Sequence, residues 1–560
     1  MKQHAQFSIR DIPFSYCGSW FNFAEVAGEA THAGDVHLVS HQTRQQPVLR
    51  FTPQFGDGRA RTTITAVPSR LTWTGEQGRI ELAYETPDTV RVRGVGLGLR
   101  LAVASSRNHL LHDPVDGSWL CAVPGTGRRY RVTPLSPELR PGKRAITMRH
   151  DREWEIAIEE YDSARPPYRA VLTFDQIVTA GAIGFHRYAD SIAPWRNADT
   201  PAAELAAYIL WSTTVRPAGF VTLPAILGSK HRADKVWSWD HCVNALAVAS
   251  GLPDLAWAQY RLPFEHQDDS GALPDSVSHS EVLYHFVKPP IHGWALHRLR
   301  QQIPTLGKIT LTKAYRELAS WTNFWLTTRR VPGHALAHYQ HGSDSGWDSA
   351  TTFGQGHATE SADLAAFLVL QTRELADLAC ELGLAADAKS WALDADRMRA
   401  GLLELWTGER FAARAAGNQR TWTSDSLLDL MPIVLADQLP EDMRDALAKR
   451  IRAHLTEHGL ATELPASPHY RAEGHWRGPI SASATVLIED GLRRSGYQEL
   501  ADEISDRFRA LCEGSGFAEN FDSLTGVALH ERACTQTAGA YLLLAGAYVG
   551  STIGQSKIVA

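Results

Sequence analysis

One change of rhythm constrains this chain more than any other feature. Near residue 190 the apolar residues stop alternating and begin to recur at helical spacing. Before that point Arg79–Glu85 (RIELAYE) alternates, Thr86-Pro87-Asp88 gives a turn, and Thr89–Val95 and Gly96–Ala104 resume the alternation. Glu153–Glu160 and Arg169–Asp175 repeat the pattern. Alternating runs cut by short Gly, Pro and Asp turns predict an antiparallel β-sandwich over residues 1–190. No Gly-rich phosphate loop leading into a helix interrupts these runs, which argues against a nucleotide domain.

Beyond the switch, Thr200-Pro201-Ala202-Ala203-Glu204 offers a Thr cap and a Pro at the first helical position. The spacing predicts helices near 200–213, 239–250, 253–266, 291–303, 309–328 and 360–382. Six more are predicted near 387–405, 424–435, 440–456, 479–494, 495–513 and 533–549. Tight and long connections alternate, so residues 191–560 are expected to form six helical hairpins in a ring. The fold class is then mainly α, with the helical domain following the β-domain. A chain of 560 residues also exceeds what one core usually supports, about 250–300.

Composition narrows the chemistry by exclusion. Lys and Arg number 56 against 62 Asp and Glu, a net charge of −6, which is no footprint for a nucleic-acid partner. The six cysteines include no C-x-x-C pair and imply neither a disulfide framework nor a zinc site. No H-E-x-x-H occurs, His279 and His285 lack a metal-ligand spacing, and no EF-hand pattern requires calcium. No cofactor and no metal in the site are expected, with a structural calcium left open. Met1–Arg10 lacks the apolar core of a signal peptide, and Tyr541–Val549 is half a membrane span. A cytoplasmic protein without a membrane partner is the expectation, with a homodimer left open. Against 5 Met, the 17 Trp are a surplus that needs a location.

The long connections supply one. Stretches 267–290, 330–359, 458–478 and 514–532 are polar and rich in Trp, His, Asp and Gly. Long irregular connections in a compact domain are usually functional. Four clusters stand out: Val236-Trp237-Ser238-Trp239-Asp240-His241; Gln340 to Phe353, holding Asp344, Gly346, Trp347 and Asp348; Gly474-His475-Trp476-Arg477-Gly478-Pro479-Ile480; and Phe517 to Gly526, holding Glu519 and Asp522. Acids among aromatics and glycines suit carbohydrate chemistry. A pyranose packs its C–H face on indole and bonds carboxylates through vicinal hydroxyls. Glycoside cleavage then needs two carboxyls, one protonated and one ionised. Glycine near the acids allows close backbone approach. Any one Trp-Asp pair is more often structural, but four clusters at helix ends are not readily dismissed.

The set Val236-Trp-Ser-Trp-Asp240, Ser345-Gly-Trp-Asp348, Trp476-Arg-Gly-Pro-Ile480 and Glu519-Asn-Phe-Asp-Ser-Leu-Thr-Gly526 resembles glycoside hydrolase family 63, with trehalases of family 37 similar too. The likeness spans roughly residues 200–550. It implies an (α/α)6 barrel carrying an inverting α-glycosidase site, with an N-terminal β-sandwich as in several relatives. It implies Asp348 as general acid, Glu519 as general base, and Trp239 with Asp240 as the pair holding the glycone. The substrate-binding set it implies comprises Trp237, Trp239, Asp240, Lys288, Gly346, Trp347, Trp476, Arg477 and Gly478. Ser481 stands where family members carry Trp, Lys288-Pro289-Pro290 where trehalases read Q-P-P, and Asp275 where they place Asn. Ser349-Ala350 also departs from the usual residues after the acid. These departures speak against trehalase specificity and leave the chemistry intact.

The expected reaction is hydrolysis of a small α-linked oligosaccharide or glucoside by an exo-acting, α-glucosidase-type enzyme. Asp348 is expected to be enclosed by Trp347 and neighbouring charge, which would raise its pKa. Plainer roles compete at several positions. Asp344 is expected to bind backbone amides, Asp522 to shape its loop, and Arg477 either to pair with an acid or to touch sugar. Lys288 is either a solvated loop lysine or a contact for an anionic or polyol aglycone. A phosphorylase, lyase or sugar epimerase on the same barrel, and a non-catalytic carbohydrate-binding protein, are the alternatives. Glu519 within its motif argues against a phosphorylase, and the retained acid pair against binding alone.

Overall fold

A computed structural model describes residues 5–26, 35–42, 45–125, 127–135, 140–142, 144–356 and 358–559. The chain divides into two compact units. One draws on Met1–Pro194, Ala207–Asp234 and Ser278–Ser280, the other on Trp195–Ala206, Lys235–Val277 and Glu281–Ala560.

The first unit is built on two antiparallel sheets. In the eight-stranded sheet the order is His109–His112, Trp119–Val123, Arg128–Pro134, Trp154–Tyr161, Thr89–Val95, Gly78–Thr86, Arg70–Gly75 and Thr63–Val67. The other runs Phe21–Glu25, Val36–Ser40, Gln46–Phe55, Gly98–Val103, Ala145–Met148 and Arg140–Gly142, with Gly58–Arg59 paired to Gln46–Phe55. Rings from the two sheets meet: Phe51 stacks on Trp73 at 6.3 Å, and Phe21 on Tyr84 at 5.3 Å. The N-terminal antiparallel β-domain is thus present, and four of the five alternating runs are strands.

The fifth is not. Arg169–Thr173 is irregular, and helix α1 (Phe174–Ile192) begins where a strand was expected. Thr173 Oγ1 accepts the Gln176 amide at 3.3 Å, while the Gln176 side chain accepts the Thr173 amide at 2.9 Å. This reciprocal cap satisfies two helix-end donors at once and outweighs a seven-residue alternation that has no strand partner. Helix α1 lies on the polar face of the eight-stranded sheet. Phe174 and Ile177 pack on Ala83, and the Arg93 guanidinium sits over the Phe174 ring at 4.3 Å. Arg93 also pairs with Glu81 at 2.9 Å. With this cover, Ile80 through Tyr84 are all buried despite their alternating sequence.

The helices that follow are α2 (Ala203–Thr213), α3 (Asp240–Ala249), α4 (Pro253–Arg261), α5 (His292–Gln302), α6 (Lys308–Thr327) and α7 (Ala362–Leu382). After them come α8 (Ala385–Leu403), α9 (Glu441–His454), α10 (Ala482–Arg494), α11 (Gln498–Ser515) and α12 (Thr535–Val559). The helix expected at 424–435 is instead a 3-10 stretch, Leu427–Gln438. Pro432 within it has no N–H to donate, and Ala436 turns out of helical geometry at φ 51°. Likewise α4 tightens to 3-10 over Leu262–His266, with Pro263 inside the tightened turn. No helix among the described residues is long and apolar enough to cross a membrane.

The long connections are not free loops. Val236–Trp237, Ser276–Val277 and Val282–Leu283 form one three-stranded antiparallel patch. Ile480–Ser481, Asn520–Phe521 and Ala528–Leu529 form another. Each patch pins residues distant in sequence immediately before helices α3 and α10.

Gly94 lies directly opposite Trp154 in the eight-stranded sheet. The indole is 3% exposed and donates to the Leu97 carbonyl at 2.7 Å. A Cβ at position 94 would collide with the ring, so Gly94→Ala should cost about 1–3 kcal/mol. Urea unfolding followed by tryptophan fluorescence checks this. An unchanged midpoint would contradict the packing described.

Candidate active site

Four segments singled out in the sequence meet the start of a helix in the second unit. Asp240 opens α3, Lys288-Pro289-Pro290 leads towards α5, Ser481 caps α10, and the segment after Glu519 runs into α12. Side chains at these positions sit near the partially positive helix ends.

The first group gathers around Asp240. The patch at Val236–Trp237 brings Asp275 alongside, with the Ser238 amide donating to the Asp275 carbonyl at 3.1 Å. Lys288 Nζ pairs with Asp275 Oδ1 at 2.8 Å and donates to the Ser343 carbonyl at 3.1 Å. Gln536 of α12 donates to Asp240 Oδ1. Burial pushes the Asp240 carboxyl up to about 7; the charges of Glu519 and Asp275 push the same way, against Lys288 and the Gln536 hydrogen bond. The Cys534 thiol is pushed up to about 12 by burial, with Glu519 and Asp240 adding to it. Asp240, Asp275, Lys288 and Glu519 thus share one electrostatic neighbourhood. Asp275 and Gln536 were not assigned to the site from sequence. Asp275 had left a trace as a departure from the trehalase pattern, whereas Gln536 lies in no motif.

The second group is aromatic. Trp347 and Trp476 stack at 4.5 Å between centroids with planes 26° apart, and Trp239 lies 6.0 Å from Trp476. Gly346 adopts φ 72° at the end of the short 3-10 turn Gly342–Ser345, and a Cβ there would press on the Trp239 indole at 3.0 Å. Only glycine suits both the left-handed backbone and that close approach. Trp476 itself is left-handed, at φ 60°. For a bulky residue this conformation carries strain. Trp237 is half-buried and paired with Ser276; no ring contact joins it to the stack among the described contacts.

Asp344 is the anchor of the acid-bearing turn. It is 2% exposed and accepts the amides of Gln340 (2.9 Å), His341 (3.3 Å) and Val287 (3.2 Å) and the Arg329 guanidinium (3.0 Å). The expectation that it binds backbone amides holds. Asp522 likewise accepts the Leu524 amide at 2.8 Å and shapes its loop. Among the described contacts Arg477 pairs with no acid: its Nε donates to the Ser349 carbonyl at 2.7 Å. Gly478, at φ 156°, lies where a Cβ would clash with the Tyr470 ring and the Arg471 carbonyl. Its glycine serves the fold of its own loop. Lys288 is 8% exposed and paired, so it is not a solvated lysine.

Asp348 departs from expectation. Its neighbour Trp347 is 2% exposed, but the Asp348 side chain is 47% exposed, with His475 Nε2 at 4.0 Å from Oδ2. The enclosure expected for Asp348 is absent; the more enclosed carboxyl of the site is Asp240. A two-residue step from the tightly packed Ser345-Gly346 turn brings the Asp348 carboxyl into contact with solvent.

The described residues contain one cluster of metal-type donors, His241, Cys242 and His292, with ligand atoms within 4.8 Å of one another. Cys242 Sγ lies 3.7 Å from His241 Nε2, and His241 Nδ1 meets the Trp237 carbonyl at 3.0 Å. Three donors fall one short of the tetrahedral set of a structural zinc site. Phe264 and Trp321 pack their rings on His292 at 5.4 and 6.1 Å. This set fits a packed core cluster better than an ion site.

Fold and site together define a carbohydrate-active enzyme, a glycoside hydrolase. A model of the mannosylglycerate hydrolase MGH1-like glycoside hydrolase domain matches residues 233–537, and the chain belongs to this family. Mannosylglycerate hydrolase of Rubrobacter radiotolerans is 23% identical over 390 residues, covering 52% of this chain and 86% of that protein. Glucosylglycerate hydrolase of Mycolicibacterium hassiacum is 23% identical over 443 residues, covering 61% and 97%. Among solved structures, a bacterial glucoamylase complexed with acarbose aligns with a TM-score of 0.64 at 11% identity, covering 98% of this chain and 95% of that one. The family 63 mannosylglycerate hydrolase from Thermus thermophilus in complex with glucose aligns at 0.54 and 19% identity, covering 61% and 99%. At these identities the structural likeness speaks for the fold alone.

The raised Asp240 carboxyl has a consequence for stability. A folded-state pKa above the unfolded value means the native state holds the extra proton between the two. The contribution is therefore fully present below about pH 4 and is lost as pH rises through about 7. Asp240→Asn should remove that slope. The difference in unfolding free energy between Asp240→Asn and wild type should grow across this window, by at most about 1.4 kcal/mol per pH unit. Denaturation of the unliganded enzyme from pH 4 to 8 measures it. Parallel curves for the two proteins would refute the shift.

Proposed function

We propose that this enzyme is an inverting, exo-acting α-glycosidase in which Asp348 is the general acid and Glu519 the general base. The observation carrying this reading is that both acid-bearing segments meet the segment around Trp476. Asp348 faces His475 at 4.0 Å. The Glu519 amide donates to the Glu531 carbonyl at 2.8 Å, next to His530, whose ring lies 6.2 Å from that of His475. Asp348 protonates the glycosidic oxygen, the C1–O bond breaks, and its electron pair leaves with the aglycone. Glu519 takes a proton from the water that attacks C1 from the opposite face. Such a pair stands about 6.5–9.5 Å apart to leave room for the water.

Asp240, supported by Gln536, holds glycone hydroxyls in this reading, and Lys288 beside Asp275 contacts an anionic or polyol aglycone. Trp239, Trp347 and Trp476 supply the apolar wall. We place these residues at the mouth of an (α/α)6 barrel of helical hairpins. For substrate we propose a small α-glycoside of glucose or mannose. Relatives named for mannosylglycerate and glucosylglycerate, and a family structure holding D-glycerate, support a glycerate-type aglycone.

The test uses 2-O-α-glucosylglycerate and 2-O-α-mannosylglycerate with NMR of the first-formed sugar. The β-anomer should appear first; initial release of the α-anomer would overturn inversion. Asp348→Asn and Glu519→Gln should each lower turnover by about 10²–10⁴-fold while folding normally. Full activity in either variant removes that residue from its role.

A further inference from the structure

We infer that His475 is a positioning residue for the acid: it orients the Asp348 carboxyl and stabilises the negative charge left on it once the proton has gone. This inference rests on Asp348 being the general acid. The need for such a residue follows from the turn itself. Ser345, Gly346 and Trp347 are buried and locked, the Trp347 amide donating to Ser345 Oγ at 3.0 Å. Asp348 is the first residue beyond that packing, and its side chain, nearly half exposed, is less closely held than its buried neighbours. A general acid that samples several rotamers spends little time aimed at the glycosidic oxygen.

The segment Gly474–Gly478 supplies the missing constraint from across the site. It is fastened to the acid turn at three points. The Ser349 hydroxyl donates to the His475 carbonyl, Arg477 Nε donates to the Ser349 carbonyl at 2.7 Å, and Trp476 stacks on Trp347. The left-handed backbone at Trp476 lets consecutive side chains do different jobs. The indole of Trp476 joins the stack, while the imidazole of His475 stands over Asp348. Of the charged or titratable groups around the His475 ring, Asp348 lies at 4.0 Å and the His530 ring at 6.2 Å. The approach is to Oδ2, which leaves Oδ1 for the proton and the glycosidic oxygen. Contacts of this kind are often long before substrate binds and shorten in the reacting complex. As the proton leaves Oδ1, charge develops on the carboxylate. A His475 Nε2–H that closes from 4.0 Å onto Oδ2 in the reacting complex is then worth more than it was before.

The role predicts a dependence on leaving group. A glycosyl fluoride leaves with little acid assistance, whereas an alkyl glycoside depends on it. The measurement is kcat/KM for methyl α-glycoside and for α-glycosyl fluoride, with glucose or mannose chosen as wild type accepts, in wild type, His475→Ala, His475→Gln and Asp348→Asn. His475→Ala should lose at least about 10-fold on the methyl glycoside and no more than about twofold on the fluoride. His475→Gln keeps an N–H donor and should recover part of the loss. Equal losses on both substrates would mean that His475 only shapes the loop, which overturns the inference. So would an unchanged methyl-glycoside rate. Asp348→Asn separates this from the underlying assignment: if it hydrolyses methyl glycoside at the wild-type rate, Asp348 is not the acid.

Discussion

A single buried carboxylate ties the site together. Asp344 accepts two amides from its own turn, one from Val287 on a distant segment, and the Arg329 guanidinium. Hydrogen bonds to a charged group are each worth about 1.5–3 kcal/mol, and leaving such a group unpaired in the interior costs more. Because Val287 precedes Lys288, the same contact that closes the acid turn also sets where the lysine enters. Lys288 then reaches Asp275, and Asp275 is held by the patch that starts at Val236. The acid turn and the neighbourhood that Asp240 shares with Glu519 are therefore joined by a chain of contacts running through Asp344.

Much of this was legible in the residues, and the limits have physical causes. Alternation located four strands, and helical spacing located the helices of the second unit, because those signals are local. They failed where a local competitor was stronger. Thr173 and Gln176 close a cap that makes a helix out of Phe174 onward, and Pro432 denies the stretch around it an α-helical ladder. The site motifs were legible as patches of Trp, Gly and acid. Their spatial partners were not, since Asp275 and Gln536 reach the site through pairings between segments far apart in sequence. Asp348 shows the same limit from the other side. Its neighbour Trp347 is buried, and sequence adjacency suggested that the acid shared the burial. One step along an irregular turn was enough to expose it.

The burdens are divided among the acids of the site in an instructive way. Asp240, partly buried among like charges, carries the perturbed carboxyl, whereas Asp348 stands in contact with solvent. On the proposed assignment, the glycone lies by the inner group, where less solvent has to reorganise as charge develops, and the aglycone leaves on the more open side.

The indole stack also gives the enzyme an optical identity. Trp347 and Trp476 lie close enough, and are tilted enough, for their transitions to couple, so the pair should behave as one chiral chromophore. Tryptophans remote from the site contribute a background that sugar binding does not touch. Any ligand that slides a pyranose face against Trp476 would change the angle between the two rings. Circular dichroism in the indole bands would then register occupancy of the site directly, without a label and without turnover.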